Sequence, residues 1–141
     1  MARTDNIGIA RELLGRLGSG AEPAAIVELF AEGMTWDIPG DTSAFPWIGR
    51  QSGTQAVVSF LAETTEKLER IRLDVDEVLA SDERAVVLGR LASKVRRTSK
   101  VVDTAFAIIL AISEGRITRF RMLEDSFAVS QAAYADERTC E

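Results

Sequence analysis

The stretch from Glu83 to Asp125 most narrows what this chain can fold into. It reads AVVLGRLASKV, a basic link RRTSK, VVDTAFAIILAI, the turn signal Ser113-Glu114-Gly115, and RITRFRMLED. Three runs rich in Val, Ile, Leu and Phe, bounded by polar or glycine-containing breaks, predict three consecutive strands. Breaks of hairpin length make them antiparallel. The link around Arg96, Arg97 and Lys100 reads as a solvated hairpin tip. Such a sheet must cover its apolar face, and the chain before it supplies helices for that purpose.

Ile7, Ala10, Leu14 and Leu17 fall at helical spacing and predict a helix over residues 4–18, ended by Gly18-Ser19-Gly20. Pro23 suits the first turn of a second helix, where its missing N–H costs nothing; that helix carries Ile26, Val27, Leu29 and Phe30 and stops near Gly33. Residues 34–38 predict a short strand closed by Pro39-Gly40. The loop DTSAFPWIGRQSG follows, and Ser52 with Gln55 forms a capping-box pattern opening a third helix over about 53–68. Ile71, Leu73 and Val75 alternate with Arg72, Asp74 and Asp76, the period of a half-buried strand. Asp125 or Ser126 caps a last short helix carrying Phe127, Val129 and Ala133.

This segregated order predicts one α+β domain over residues 1–134, with 135–141 as a flexible charged tail. The architecture expected is a curved antiparallel sheet wrapped around helices to form a cone-shaped cavity, where ligand sites tend to form.

Composition removes several kinds of chemistry. A net charge of -5 argues against nucleic acid, because phosphate binding needs a surplus of Lys and Arg. No run approaches the ~20 apolar residues that span a bilayer, and MARTDNIGIA lacks the apolar core of a signal peptide, so a cytoplasmic protein is expected. The chain has no histidine and a single cysteine, Cys140, beside its end. Ser-His-Asp and Cys-His catalysis are therefore excluded, as are histidine-ligated metal sites and most thiolate ones. No metal and no cofactor are expected.

The segments IVELFAEGMTWDIPG, PWIGRQSGTQAVVSFL and GRITRFRMLEDSFAV resemble the SnoaL-like proteins of the nuclear transport factor 2-like superfamily, to which the steroid isomerases are related. The resemblance runs from about residue 7 to residue 134, most tellingly at Gly49-Arg50 and at Gly115-Arg116-Ile117. It implies the cone-shaped fold and a homodimer through the outer sheet face. Function does not follow from it, since the superfamily holds isomerases, cyclases, epoxide hydrolases, dehydratases and binders.

Residue by residue, the resemblance is unkind to catalysis. The base, tyrosine and protonated acid of steroid isomerases, a system that also illustrates a neutral buried carboxyl, fall on Ile38, Leu14 and Phe106. The histidine and acid of polyketide cyclases fall on Ile108 and Met122. Of the Asp-Arg-Asp set of limonene-type epoxide hydrolases only the arginine survives, as Arg90, with Ala92 and Met122 at the aspartate positions.

The resemblance and strand alternation together predict a lining of Leu14, Ile38, Phe106, Ile108, Leu110 and Met122, with Trp36, Phe45 and Trp47 at the rim. This suits a small hydrophobic carbonyl- or polyketide-like molecule. Asp37, beside Pro39, and Glu124, in phase with Met122, are the candidate bases, and Arg90 the candidate anchor for an oxyanion. Asp41, in the loop by the predicted cavity mouth, and Asp103, of opposite parity to Phe106, are the remaining candidate bases. An isomerase, cyclase or dehydratase is one expectation; a non-catalytic binder or a dimeric assembly protein is the other.

Overall fold

A computed structural model describes residues 3–134. Its elements are α1 (Arg3–Ser19), α2 (Pro23–Val27), β1 (Phe30–Ile38), β2 (Gly49–Ser52), α3 (Thr54–Lys67), β3 (Leu68–Ala80), β4 (Arg84–Val95), β5 (Lys100–Ser113), β6 (Arg116–Glu124) and α4 (Ser126–Ala133). One six-stranded, curved, unclosed sheet runs β2-β1-β6-β5-β4-β3. Its last four strands follow one another as hairpins, and β4 pairs with β5 without a break from Arg84↔Ala111 to Val95↔Lys100. The expected α+β architecture is present, and the tail at 135–141 lies outside the described residues.

Alternation explains β5 well. Val102, Thr104, Phe106, Ile108, Leu110 and Ile112 are all buried and share one face, so a single strand contributes a row of the core. Helices α1, α2 and α3 cover that face through Ala10, Leu13, Ile26, Ala56 and Val57, which join the sheet residues in one apolar cluster. The fully buried Asn6 ties α1 to the β3–β4 turn by donating from Nδ2 to the carbonyls of Ser81 and Asp82, at 2.9 and 3.0 Å.

Four local expectations are corrected. The second helix stops at Val27, and β1 begins at Phe30 rather than Met34. Pairing with β6 draws this segment into the sheet: the Ile117 N–H donates to the Leu29 carbonyl at 2.9 Å, and Phe30 sits opposite Ile117. This β1–β6 pairing is parallel, the one departure from an otherwise antiparallel sheet. Residues 49–52, expected as loop, form β2 on the outside of β1. The capping box does not form: Gly53 is the N-cap of α3, at φ 87° and with no side-chain cap bond. On α4, Phe127 is 73% exposed.

The β3 strand departs furthest from simple alternation. Its register slips between Arg70 and Arg72 and again between Val75 and Glu77. A bulge inserts an unpaired residue and re-aims its neighbours. Ile71 is accordingly pushed out to 52% exposure, with Val75 exposed as well.

The last helix is tied down at both ends. Asp125 caps α4 by accepting from the Ala128 N–H at 3.0 Å, as expected. At the other end the hairpin tip is more than a solvated turn. Thr98 Oγ1 donates to the Ala132 carbonyl at 2.6 Å, Arg97 to that of Ala133 and Lys100 to that of Tyr134. These are the carbonyls a helix end leaves without partners, and cations suit the negative end of its dipole.

Candidate functional site

Between the sheet and its helices lies a cavity of about 780 Å³, a size typical of small-molecule sites. Trp36 and Ile38 from β1, Phe106 and Ile108 from β5, and Phe120 and Met122 from β6 form its sheet wall. Leu14 and Leu17 of α1 and Phe60 and Leu61 of α3 form the opposite wall. Trp36 stacks flat on Phe120, with ring centroids 4.0 Å apart and planes at 7°, and meets Phe60 at 5.1 Å, tilted by 55°. These contacts give the wall a rigid aromatic floor.

A second apolar cluster closes one end. Phe45 of the 41–48 loop packs with Val95, Val102, Ala132 and Ala133, and Trp47, Ile48 and Val129 pack against that cluster. Phe45, Trp47, Ile48 and Val129 also line the cavity, so the loop and α4 together form a cap. Asp41 holds the two parts of the cap together. Its Oδ1 accepts from the Ser43 and Ala44 N–H groups at 3.0 and 3.1 Å, and its Oδ2 accepts from Ser130 Oγ at 2.7 Å and the Tyr134 hydroxyl at 3.1 Å. Ser130's hydrogen bond, then those from the Ala44 N–H and the Tyr134 hydroxyl, hold the Asp41 carboxyl below its ordinary range. A carboxylate so held is a structural tie, not a base.

Glu124 is the ionisable group within the wall. It follows Phe120 and Met122 at two-residue spacing on β6, opposite Phe106, and therefore points to the same side as they do. Among the described residues no donor reaches its carboxyl. Burial pushes its pKa above the ordinary glutamate value, because an unpaired carboxylate loses its hydration there. The Trp36 indole N–H is buried and without an acceptor among the described residues. The cavity thus presents two unused polar groups on an otherwise apolar surface. Trp36 sits opposite Phe120 and Glu124 four residues further along β6, so the two are separated by about 13 Å of strand.

Of the expected lining residues, Leu14, Trp36, Ile38, Phe45, Trp47, Phe106, Ile108 and Met122 surround the cavity. Leu110 does not: it is fully buried in the core beside its register partners Ala85 and Phe120. Arg90 is corrected too. Its side chain is 51% exposed on the outer sheet face, where Nη2 meets Asp103 at 3.0 Å, a carboxylate shared with Arg72 at 3.1 Å. The inward neighbour on β4 is Gly89, which is buried. Asp37 also faces outward, 3.8 Å from Arg119 and 3.6 Å from Arg121, because β1 keeps strict alternation beside Pro39 and no bulge turns it back. Asp103 belongs to the Arg90 pair, which lowers its pKa chiefly through the Arg90 hydrogen bond. Among the described residues no group of acids, histidines or cysteines is placed to hold a metal ion, and no helix is long and apolar enough to cross a membrane.

Sequence reasoning missed Gly89. A Cβ there would lie 2.1 Å from the Asp74 carbonyl oxygen and 2.9 Å from Phe106 Cζ, so only glycine lets the Phe106 ring fold over β4. It missed Arg70 as well, since alternation in β3 gave no warning of the bulge.

A curved, unclosed sheet covered by helices around an apolar pocket defines the class of fold to which this chain belongs. Residues 11–120 match the SnoaL-like domain family, and the chain belongs to it. No curated protein matches the chain. Among solved structures, an NTF2-like protein from Burkholderia xenovorans LB400 superposes with a TM-score of 0.85 at 23% identity, covering 95% of this chain and 99% of that one. TerC, co-crystallised with polyporic acid, gives 0.79 at 19% identity over 92% and 98% of the two chains. A protein described as a candidate SnoaL-like polyketide cyclase from Jannaschia sp. CCS1 gives 0.77 at 18% identity over 96% and 95%. At such identities the likeness is one of fold.

Proposed function

We propose that this protein binds a small, largely apolar carbonyl- or polyketide-like molecule in the cavity and moves a proton on it with Glu124, as an isomerase, cyclase or dehydratase would. The observation that carries this reading is a half-buried carboxyl, without a hydrogen-bond donor among the described residues, in the wall of an apolar cavity of about 780 Å³. A carboxyl whose pKa is raised can donate a hydrogen bond to a carbonyl oxygen as the acid, and as the conjugate base it can take an α-proton. Trp36 Nε1 offers a second donor. TerC, which shares the fold, is co-crystallised with polyporic acid, and this supports an acidic organic ligand here.

A test is α-proton exchange. A hydrophobic ketone incubated with the protein in D2O and followed by NMR should lose its α-proton signal, and Glu124→Gln should slow that loss by about 10²-fold or more. Binding without exchange in the unmodified protein would reject the catalytic half and leave a non-catalytic binder. That second reading is favoured by the apolar residues at the family's usual catalytic positions, Leu14, Ile38, Phe106, Ile108 and Met122. A homodimer through the outer sheet face is proposed on the resemblance alone, and light scattering tests it.

A further inference from the structure

The exposed part of the cavity's lining lies at one place: the α1–α2 turn on one side, and Thr65, Arg70, Arg72 and Arg96 on the other. In a chain of net charge -5 this mouth is basic. The three arginines differ in what they already hold. Arg72 is taken by Asp74 at 2.9 Å and by Asp103 at 3.1 Å, both on the outer side of the sheet. Arg96 lies 3.7 Å from Glu69. Among the described residues Arg70 has no carboxylate within ion-pair distance; its Nη1 donates to the Leu17 carbonyl at 3.3 Å. That bond reaches from β3 to the last turn of α1 and holds the guanidinium across the mouth. The bulge after Arg70 makes this aim possible, by breaking the alternation of β3. Glu22, exposed on the α1–α2 turn, is the facing carboxylate in the rim, and Glu124 is the one within.

We infer that the cavity takes an amphiphilic anion, its apolar body inside and its acidic head (a carboxylate, sulfonate or acidic enol) at the mouth against Arg70. The inference rests on the cavity-binding reading above and narrows its ligand class. An anionic head left outside is well served by this arrangement: the wall residues supply no cation to neutralise it deeper in, and a guanidinium presents paired donors to it. Glu124 lies on the wall rather than at the mouth, and its partial burial raises its pKa, which lessens its repulsion of an anionic ligand. The basic mouth would also speed the encounter with an anion.

Two fluorescent probes with one skeleton test this: N-phenyl-1-naphthylamine, which is neutral, and 8-anilinonaphthalene-1-sulfonate, which carries the acid. The folded protein should bind the sulfonate more tightly by about 5-fold, the size of one rim ion pair. Arg70→Gln should abolish that preference and leave binding of the neutral probe unchanged, and ~0.5 M salt should shrink it in the unmodified protein. Equal affinity for both probes overturns the basic mouth while the cavity reading stands. A preference that survives Arg70→Gln overturns the assignment to Arg70. Failure of both probes to bind overturns the cavity reading and this inference with it.

Discussion

Gly89→Ala couples the fold to the cavity at a single atom. The new Cβ would stand 2.1 Å from the Asp74 carbonyl oxygen and 2.9 and 3.0 Å from Cζ and Cε2 of Phe106. The ring could swing aside. The carbonyl belongs to the backbone of β3, next to Val75, which pairs with Gly89 just before the second register slip, so relief there requires loosening the β3–β4 ladder. Overpacking of a core costs about 1–3 kcal/mol, and a clash with backbone belongs at the upper end. A loss of about 3 kcal/mol should lower Tm by about 10 °C for a domain of this size. Scanning calorimetry measures it. Because the displaced Phe106 ring moves into the cavity, affinity for N-phenyl-1-naphthylamine should fall as well. The double variant Gly89→Ala/Phe106→Leu should recover less than half of the lost Tm, since it relieves the ring but not the carbonyl. A Tm within about 2 °C of the unmodified protein would refute the close approach as the reason glycine stands there.

Three other perturbations follow from the same geometry. Glu124 has its folded pKa raised, so the native state holds the proton more tightly than the unfolded chain; stability should fall as pH rises from the ordinary glutamate range through the raised value and level off above it. Glu124→Gln should remove that slope in urea unfolding followed across pH, and a slope that persists would assign it elsewhere. Asp41 is the opposite case: its contribution is present above the ordinary aspartate range and is lost as pH falls through its lowered folded pKa. Asp41→Asn should speed amide hydrogen exchange in α4 while leaving β4–β6 protected, and unchanged exchange in α4 would show that the cap does not depend on this tie. Arg90→Ala, at an exposed ion pair on the outer face, should change stability by no more than about 1 kcal/mol and leave probe affinity unaltered; weakened probe binding would return Arg90 to the site.

Much of this protein was legible in one dimension because its signals are local. The breaks at Arg96–Lys100 and at Ser113-Glu114-Gly115 defined the hairpins, and the even-numbered residues of β5 declared which face is buried. From the face assignment and the family resemblance, Ile38, Phe106, Ile108 and Met122 were expected around one cavity, and they line it; Trp36, expected at the rim, is instead buried in its wall. The resemblance also carried the fold class. Asp125 could be read as a cap because a cap is a matter of neighbouring residues.

What failed depended on atoms far away in the chain. Phe30 and Leu29 looked helical until Ile117 of β6 supplied their partner, and Gly49–Ser52 is a strand only because β1 lies beside it. Arg90 was a reasonable candidate while its direction was unknown; pairing with Asp103 on the outer face decided it. The same holds for Asp37. Conversely, Arg70 gained its place at the mouth from a register slip in β3, which no alternation of residue types announces. The chain's own pattern thus determined a sheet, its apolar face and the greasy walls of a pocket, since hydrophobic periodicity is written along the backbone. Only the tertiary structure decided which charges meet that pocket. A charge can be stable on either side of a sheet, and its side is set by bulges and by partners brought from distant strands: Arg90 and Asp37 outward, Glu124 inward, Arg70 at the opening.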